Sequence, residues 1–163
     1  MGQITEDMTF TGNCRFTNQP TFPDGGVTNA KVASNAAIDA DKLEHLHVRT
    51  FAQPNTAATA ETRVVHEVVG ATGTIRTFSA GSIAKAVGDS TVTVDLKVNG
   101  TTVLSGVITL DNANTNYVSE PGTISDDDLA AGDVLTVVTT ATAGTGTLPT
   151  GVFAHVTLSE DPA

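Results

Sequence analysis

The sequence predicts an all-β protein: a β-sandwich or jelly roll carried behind an extended N-terminal arm and one short helix. Three observations carry this. Thr, Ala and Val are the commonest residues, and Thr and Val favour strands. From residue 63 onward, short apolar-alternating runs are separated by Gly, Asp, Asn and Pro. Ahead of those runs, Phe10, Phe16 and Phe22 recur at a spacing of six residues, with Ile4 in the same register.

The arm comprises residues 1–27. An even spacing keeps the three rings on one face of an extended chain, because side chains alternate along a strand. On a helix, six residues would turn each ring by about 240° from the last. So short a segment cannot bury the rings by itself. They lie on a partner surface or stack as rungs of an intertwined trimeric stalk, and in both cases another chain is the expected partner.

Residues 28–62 are read as a short helix and a linker. Asp39 caps a helix over Ala40–His47, Asp41 occupies the positive first turn, and His45 and His47 fall in the last turn. Leu43 and Leu46 then share an apolar face at i, i+3. The small residues of 50–62, broken by Pro54, read as the linker.

Residues 63–163 form the predicted sandwich. Strands are expected over 63–70, 74–84, 91–100, 101–110, 116–119, 133–142 and 151–160. Alternation is clearest in Val92, Val94, Leu96 and Val98, and again in Leu104, Gly106, Ile108 and Leu110. Asn99-Gly100 between those two runs signals a type I′ hairpin. One helical turn is expected over Ser125–Ala131, closed by Gly132.

Composition excludes several function classes. The 163 residues carry 8 Lys+Arg against 18 Asp+Glu, a formal charge of -10, which argues against a nucleic-acid partner. All eight bases lie at or before Lys97, and residues 98–163 hold eight acids and no base. Six Phe, one Tyr and no Trp leave few rings for stacking on sugars or bases. A single cysteine, Cys14, excludes an intramolecular disulfide. No stretch reaches the ~20 apolar residues of a membrane-spanning helix, and the first residues lack a basic and an apolar region, so no membrane partner and assembly in the cytosol are expected.

Chemistry-bearing motifs are sparse. His45-Leu46-His47 could chelate a metal if extended, since i and i+2 share a strand face, but helix-terminal or exposed histidines are the preferred reading. Asp126, Asp127 and Asp128 lack the spacing of a calcium loop and suit a helical first turn. Gly144-Thr145-Gly146 has no following Gly-Lys-Ser/Thr, so hairpin glycines are expected there rather than a phosphate loop. There is no G-x-S-x-G, and no pair of carboxylates can be placed together. The expectation is a protein with no enzymatic activity, no cofactor and no metal.

Three pieces carry a resemblance. The arm ending in FPDGGVTNAKV, the segment AAIDADKLEHLHV, and the β region with TVDLKVNGTTVLSGVITL and LAAGDVLTVVTTATAGTGTLPTGVFAHVTL resemble head decoration (cement) and fibre proteins of tailed bacteriophages. The phrase from Leu129 through Asp133 into Val-Leu-Thr-Val is also similar to the penultimate strand of tumour-necrosis-factor-like jelly rolls, a likeness of fold only. The resemblance implies a trimeric jelly roll on the capsid surface of a virion, bound to the major capsid protein and clamping neighbouring capsomers. Phe10, Phe16, Phe22, Leu43 and Leu46 are the expected capsid-contact or trimer-contact residues. The alternative it implies is a fibre-tip or receptor-binding module whose loops, such as Thr142–Thr150, contact host glycans.

Overall fold

A computed structural model describes residues 45–161 of the chain. The Phe10, Phe16 and Phe22 repeat, Leu43 and the first five residues of the expected Ala40–His47 helix lie outside the described residues.

Ten strands make two antiparallel sheets. They are β1 (His45–Ala52), β2 (Glu61–Glu67), β3 (Thr72–Ala84), β4 (Thr91–Val98), β5 (Thr101–Thr102), β6 (Ile108–Leu110), β7 (Ser119–Pro121), β8 (Asp128–Ala130), β9 (Val134–Thr142) and β10 (Thr150–Glu160). The first sheet runs β1-β10-β3, and the far side of the long β3 pairs with β7 near one end and β8 near the other. The second runs β2-β9-β4, with β5 and β6 pairing in the same way along β4. The architecture is a β-sandwich.

The core follows from alternation. Val92, Val94 and Leu96 of β4, Leu135 and Val137 of β9, and Val152, Ala154, Val156 and Leu158 of β10 are all buried. Ile75 and Phe78 from β3 and Phe51 from β1 fill the space between the sheets. Burying such side chains contributes roughly 1.5–3 kcal/mol each. At the hairpin, Asn99 and Gly100 take φ of 49° and 86°, as a type I′ turn requires, and Val98 pairs with Thr101.

Two local expectations are corrected. His45, Leu46 and His47 are not the last turn of a helix; they open β1, paired along its whole length with β10. Ladder bonds to a neighbouring strand outweigh a weak local helical preference there. The sandwich therefore takes in β1 and the first two residues of β2 from within residues 45–62. Ser125–Ala131 forms no helical turn either: Asp128–Ala130 is β8, laid on the free edge of β3 with Leu129 buried. The Asp133 carboxylate accepts from the Ala130 N–H at 2.8 Å, and Gly132 supplies the left-handed turn with φ of 83°. There is no helix among the described residues.

The expected continuous run over 101–110 is interrupted. β5 stops at Thr102, Leu104 forms an isolated bridge with Ile124, and pairing to β4 resumes at Ile108. Leu104, Ile108 and Leu110 nonetheless all point inward.

Candidate functional site

Polar side chains meet inside the sandwich at one corner. Along β1 the inward positions are His45, His47, Arg49 and Phe51, because their partners on β10 are Glu160, Leu158, Val156 and Ala154, all of them buried. The outward positions are Leu46 and Val48, 69% and 60% exposed. Phe51 is core, and the residues before it turn an increasingly polar face inward.

His66 reaches the same corner through a β-bulge. Strict alternation from the outward-facing Val64 would send His66 to solvent. The pairing of β2 with β9 instead shifts between Val64 and His66, with Val65 the extra residue, and His66 lands opposite the buried Leu135. Re-aiming a side chain is what a bulge does. Only 8% of His66 is exposed.

Glu160, at the end of β10, is 3% exposed and fully engaged. Its Oε2 accepts from the backbone N–H of Gly70 at 2.7 Å and of Val69 at 3.1 Å. Its Oε1 is hydrogen-bonded to His66 Nε2. His47 Nε2 stands 3.8 Å from the same oxygen and, although buried, has no hydrogen-bond partner. Gly70 admits no side chain, since a Cβ there would lie 2.3 Å from the Asp161 carbonyl oxygen.

Arg49 fixes the proton positions. Its Nε donates to His66 Nδ1 at 3.0 Å, and its Nη2 lies 3.4 Å from His47 Nδ1. A guanidinium only donates, so each Nδ1 offers a lone pair and a neutral ring carries its proton on Nε2. The result is a relay from the Arg49 cation through the His66 imidazole to the Glu160 carboxylate. Burial pushes the Glu160 carboxyl up most strongly, but the combined hydrogen bonds from His66, Gly70 and Val69 outweigh it and hold it below the usual value. Burial lowers His47, with Arg49, His66 and His45 adding to that effect and Glu160 opposing it.

Among the described residues, His47, His66 and Glu160 are the group here that could hold a metal ion. The sequence had paired His45 with His47 through a shared strand face, and β1 does give them one, with ring centroids 6.3 Å apart. Sequence reasoning missed His66 and Glu160, because nothing local marks a bulge or the cross-strand pairing of Glu160 with His45.

The remaining candidates resolve differently. Leu46 lies on the outer face of β1, away from the cluster. Asp126–Asp128 lead into β8, and the Asp127 carbonyl accepts from Ile75 N–H. Gly144-Thr145-Gly146 does cradle an anion, but its own: Asp89 Oδ1 accepts from Thr145 N at 2.7 Å, Thr145 Oγ1 at 3.0 Å and Gly146 N at 3.1 Å. The Thr145 N–H, with these neighbours, holds the Asp89 carboxyl below its usual value. A lowered carboxylate stabilises the fold above its unfolded value, ~4, and ceases to as pH falls through the folded one. Asp89→Asn should therefore lower the melting temperature at pH 7, and the gap to the parent should narrow as pH falls through the lowered folded-state value. A pH series of melts on both chains measures it; a constant gap would show that the carboxylate charge is not what matters.

No helix among the described residues is long and apolar enough to cross a membrane. No protein-family model matches the chain, and no curated protein matches it.

Proposed function

We propose that this chain is a structural virion protein: a capsid decoration, or cement, protein that binds the outside of a tailed-phage head as a homotrimer and clamps neighbouring capsomers. The strand order carries the reading. If β5 with β6 and β7 with β8 each count as one interrupted strand, the eight strands run 1-8-3-6 in one sheet and 2-7-4-5 in the other. Two Greek keys wound together give that order, so we read the sandwich as a jelly roll. Phage-head resemblance in the arm and β region supplies the rest.

Surface chemistry supports a binding rather than a catalytic role. Leu46 and Val48 present an exposed apolar pair on β1. Exposed apolar groups in a row suit a partner surface. Three arms per trimer would make attachment multivalent, so modest contacts per arm release slowly.

Deletion of residues 1–27 is expected to leave a folded sandwich that no longer binds capsids, with at least about a 100-fold loss of affinity from multivalency alone. Cosedimentation with purified heads measures it, and undiminished binding would sink the reading. Sedimentation of the full chain should give three times 16.7 kDa.

One observation favours the alternative of a fibre-tip module contacting host glycans. Tyr117, the single tyrosine, is 73% exposed and held at φ of 63° beside Asn116, whose Oδ1 accepts from Lys85 N. Bulky residues rarely adopt that backbone region without a reason. Glycan-array binding abolished by Tyr117→Ala would favour this reading over the first.

A further inference from the structure

Three strands bring His47, His66 and Glu160 together, with one ligand atom from each within 4.8 Å of the others; His47 Nε2 lies 3.8 Å from Glu160 Oε1, and His66 Nε2 is hydrogen-bonded to that oxygen. Two imidazoles and a carboxylate are a donor set that zinc and similar divalent transition metals accept, and three protein ligands leave a coordination position open. Two features of the corner make the set more than a coincidence of polar residues. His47 Nε2 is buried with no hydrogen-bond partner, an arrangement that native interiors seldom leave without a ligand. Glu160 is already oriented from behind: Val69 and Gly70 N–H groups occupy Oε2, which directs Oε1 toward the two rings. Outer hydrogen bonds of that kind are what aim metal-ligating carboxylates.

One neighbour opposes a metal. Arg49 donates to His66 Nδ1 and faces His47 Nδ1, which keeps the ring protons on the nitrogens a metal would need. Ligation through Nε2 requires each ring to move its single proton to Nδ1, with no net proton gained or lost. Two N–H groups would then confront the guanidinium donors. Arg49 would have to turn away, and the metal would bring its own positive charge to Glu160. A metal on the Nε2 edges and the guanidinium on the Nδ1 edges thus exclude each other through the ring tautomers.

We propose that His47, His66 and Glu160 form a binding site for a zinc-like divalent metal, which displaces the Arg49 guanidinium and ties β1, β2 and β10 together at the start of the sandwich. The proposal is independent of the decoration reading. It makes Arg49 a residue that weakens metal binding, a role no purely structural account of the cluster assigns to it.

Titration calorimetry with zinc chloride tests it, using the chelator-treated full chain with Cys14→Ser so that the lone thiol contributes no ligand. One zinc per chain is expected. His47→Gln, at the more exposed of the two rings, should weaken binding by at least about tenfold. Arg49→Gln should tighten it by about tenfold, because the amide oxygen can accept from an Nδ1–H where the guanidinium cannot. His155→Gln, on the outward face of β10, should leave it unchanged. The proposal is overturned by no zinc uptake at millimolar metal, by uptake that survives His47→Gln or is lost with His155→Gln, or by an Arg49→Gln chain that binds no more tightly than the parent. Should His47→Gln not fold, the Arg49→Gln comparison decides alone.

Discussion

Glu160→Ala is expected to destabilise the sandwich by about 3–5 kcal/mol, the usual loss when one partner of a buried charged network is removed. Three consequences coincide. The N–H groups of Val69 and Gly70 lose their acceptor, His66 Nε2 loses its own, and Arg49 is left without the carboxylate at the far side of the His66 ring. Glu160→Gln separates the contributions. Its amide oxygen can still accept from Val69 and Gly70, while the charge opposite Arg49 is gone, so an intermediate loss is expected. Urea unfolding in the presence of chelator measures all three chains without a metal contribution. If Gln costs as much as Ala, charge dominates the corner; if Gln costs nothing, the backbone hydrogen bonds do.

The same polar residues explain why this corner was hidden in the sequence. Strands β4, β9 and β10 were legible because their inward positions are apolar, as in Val92, Val94 and Leu96, and because Asn99-Gly100 announces its turn. β1 inverts that pattern. His45, His47 and Arg49 face in while Leu46 and Val48 face out, so hydrophobic spacing pointed to a helical face through Leu43 and Leu46. β8 has one large apolar residue, Leu129, preceded by the acids Asp126, Asp127 and Asp128, and only the free edge of β3 makes it a strand. His66 required a bulge, which depends on what β9 offers opposite and not on the neighbours of His66 in sequence. Where burial and hydrophobicity part company, local patterning fails, and it fails at the site.

Phe78→Ala is the other large expected effect, about 3–5 kcal/mol. Phe78 is 2% exposed, sits midway along β3 opposite Val156, and leans toward the side of the sandwich closed only by the short strands β5 to β8. Strands of two or three residues offer few ladder bonds, so that side depends on side-chain packing. Gly122 shows how closely the ring fits: a Cβ there would meet Phe78 Cδ1 at 3.2 Å, Ile108 Cδ1 at 3.3 Å and Leu104 Cδ2 at 3.4 Å. Gly122→Ala in the parent should therefore cost stability through crowding, on the order of 1 kcal/mol. In the Phe78→Ala chain the added methyl has vacated space to enter, and the same change should become neutral or stabilising. Urea midpoints for the parent, the two single variants and the double variant give the coupling directly, expected to be at least ~1 kcal/mol and of compensating sign. Simple additivity would mean that the ring does not close this edge and that the ladder bonds of β6 and β7 hold it unaided.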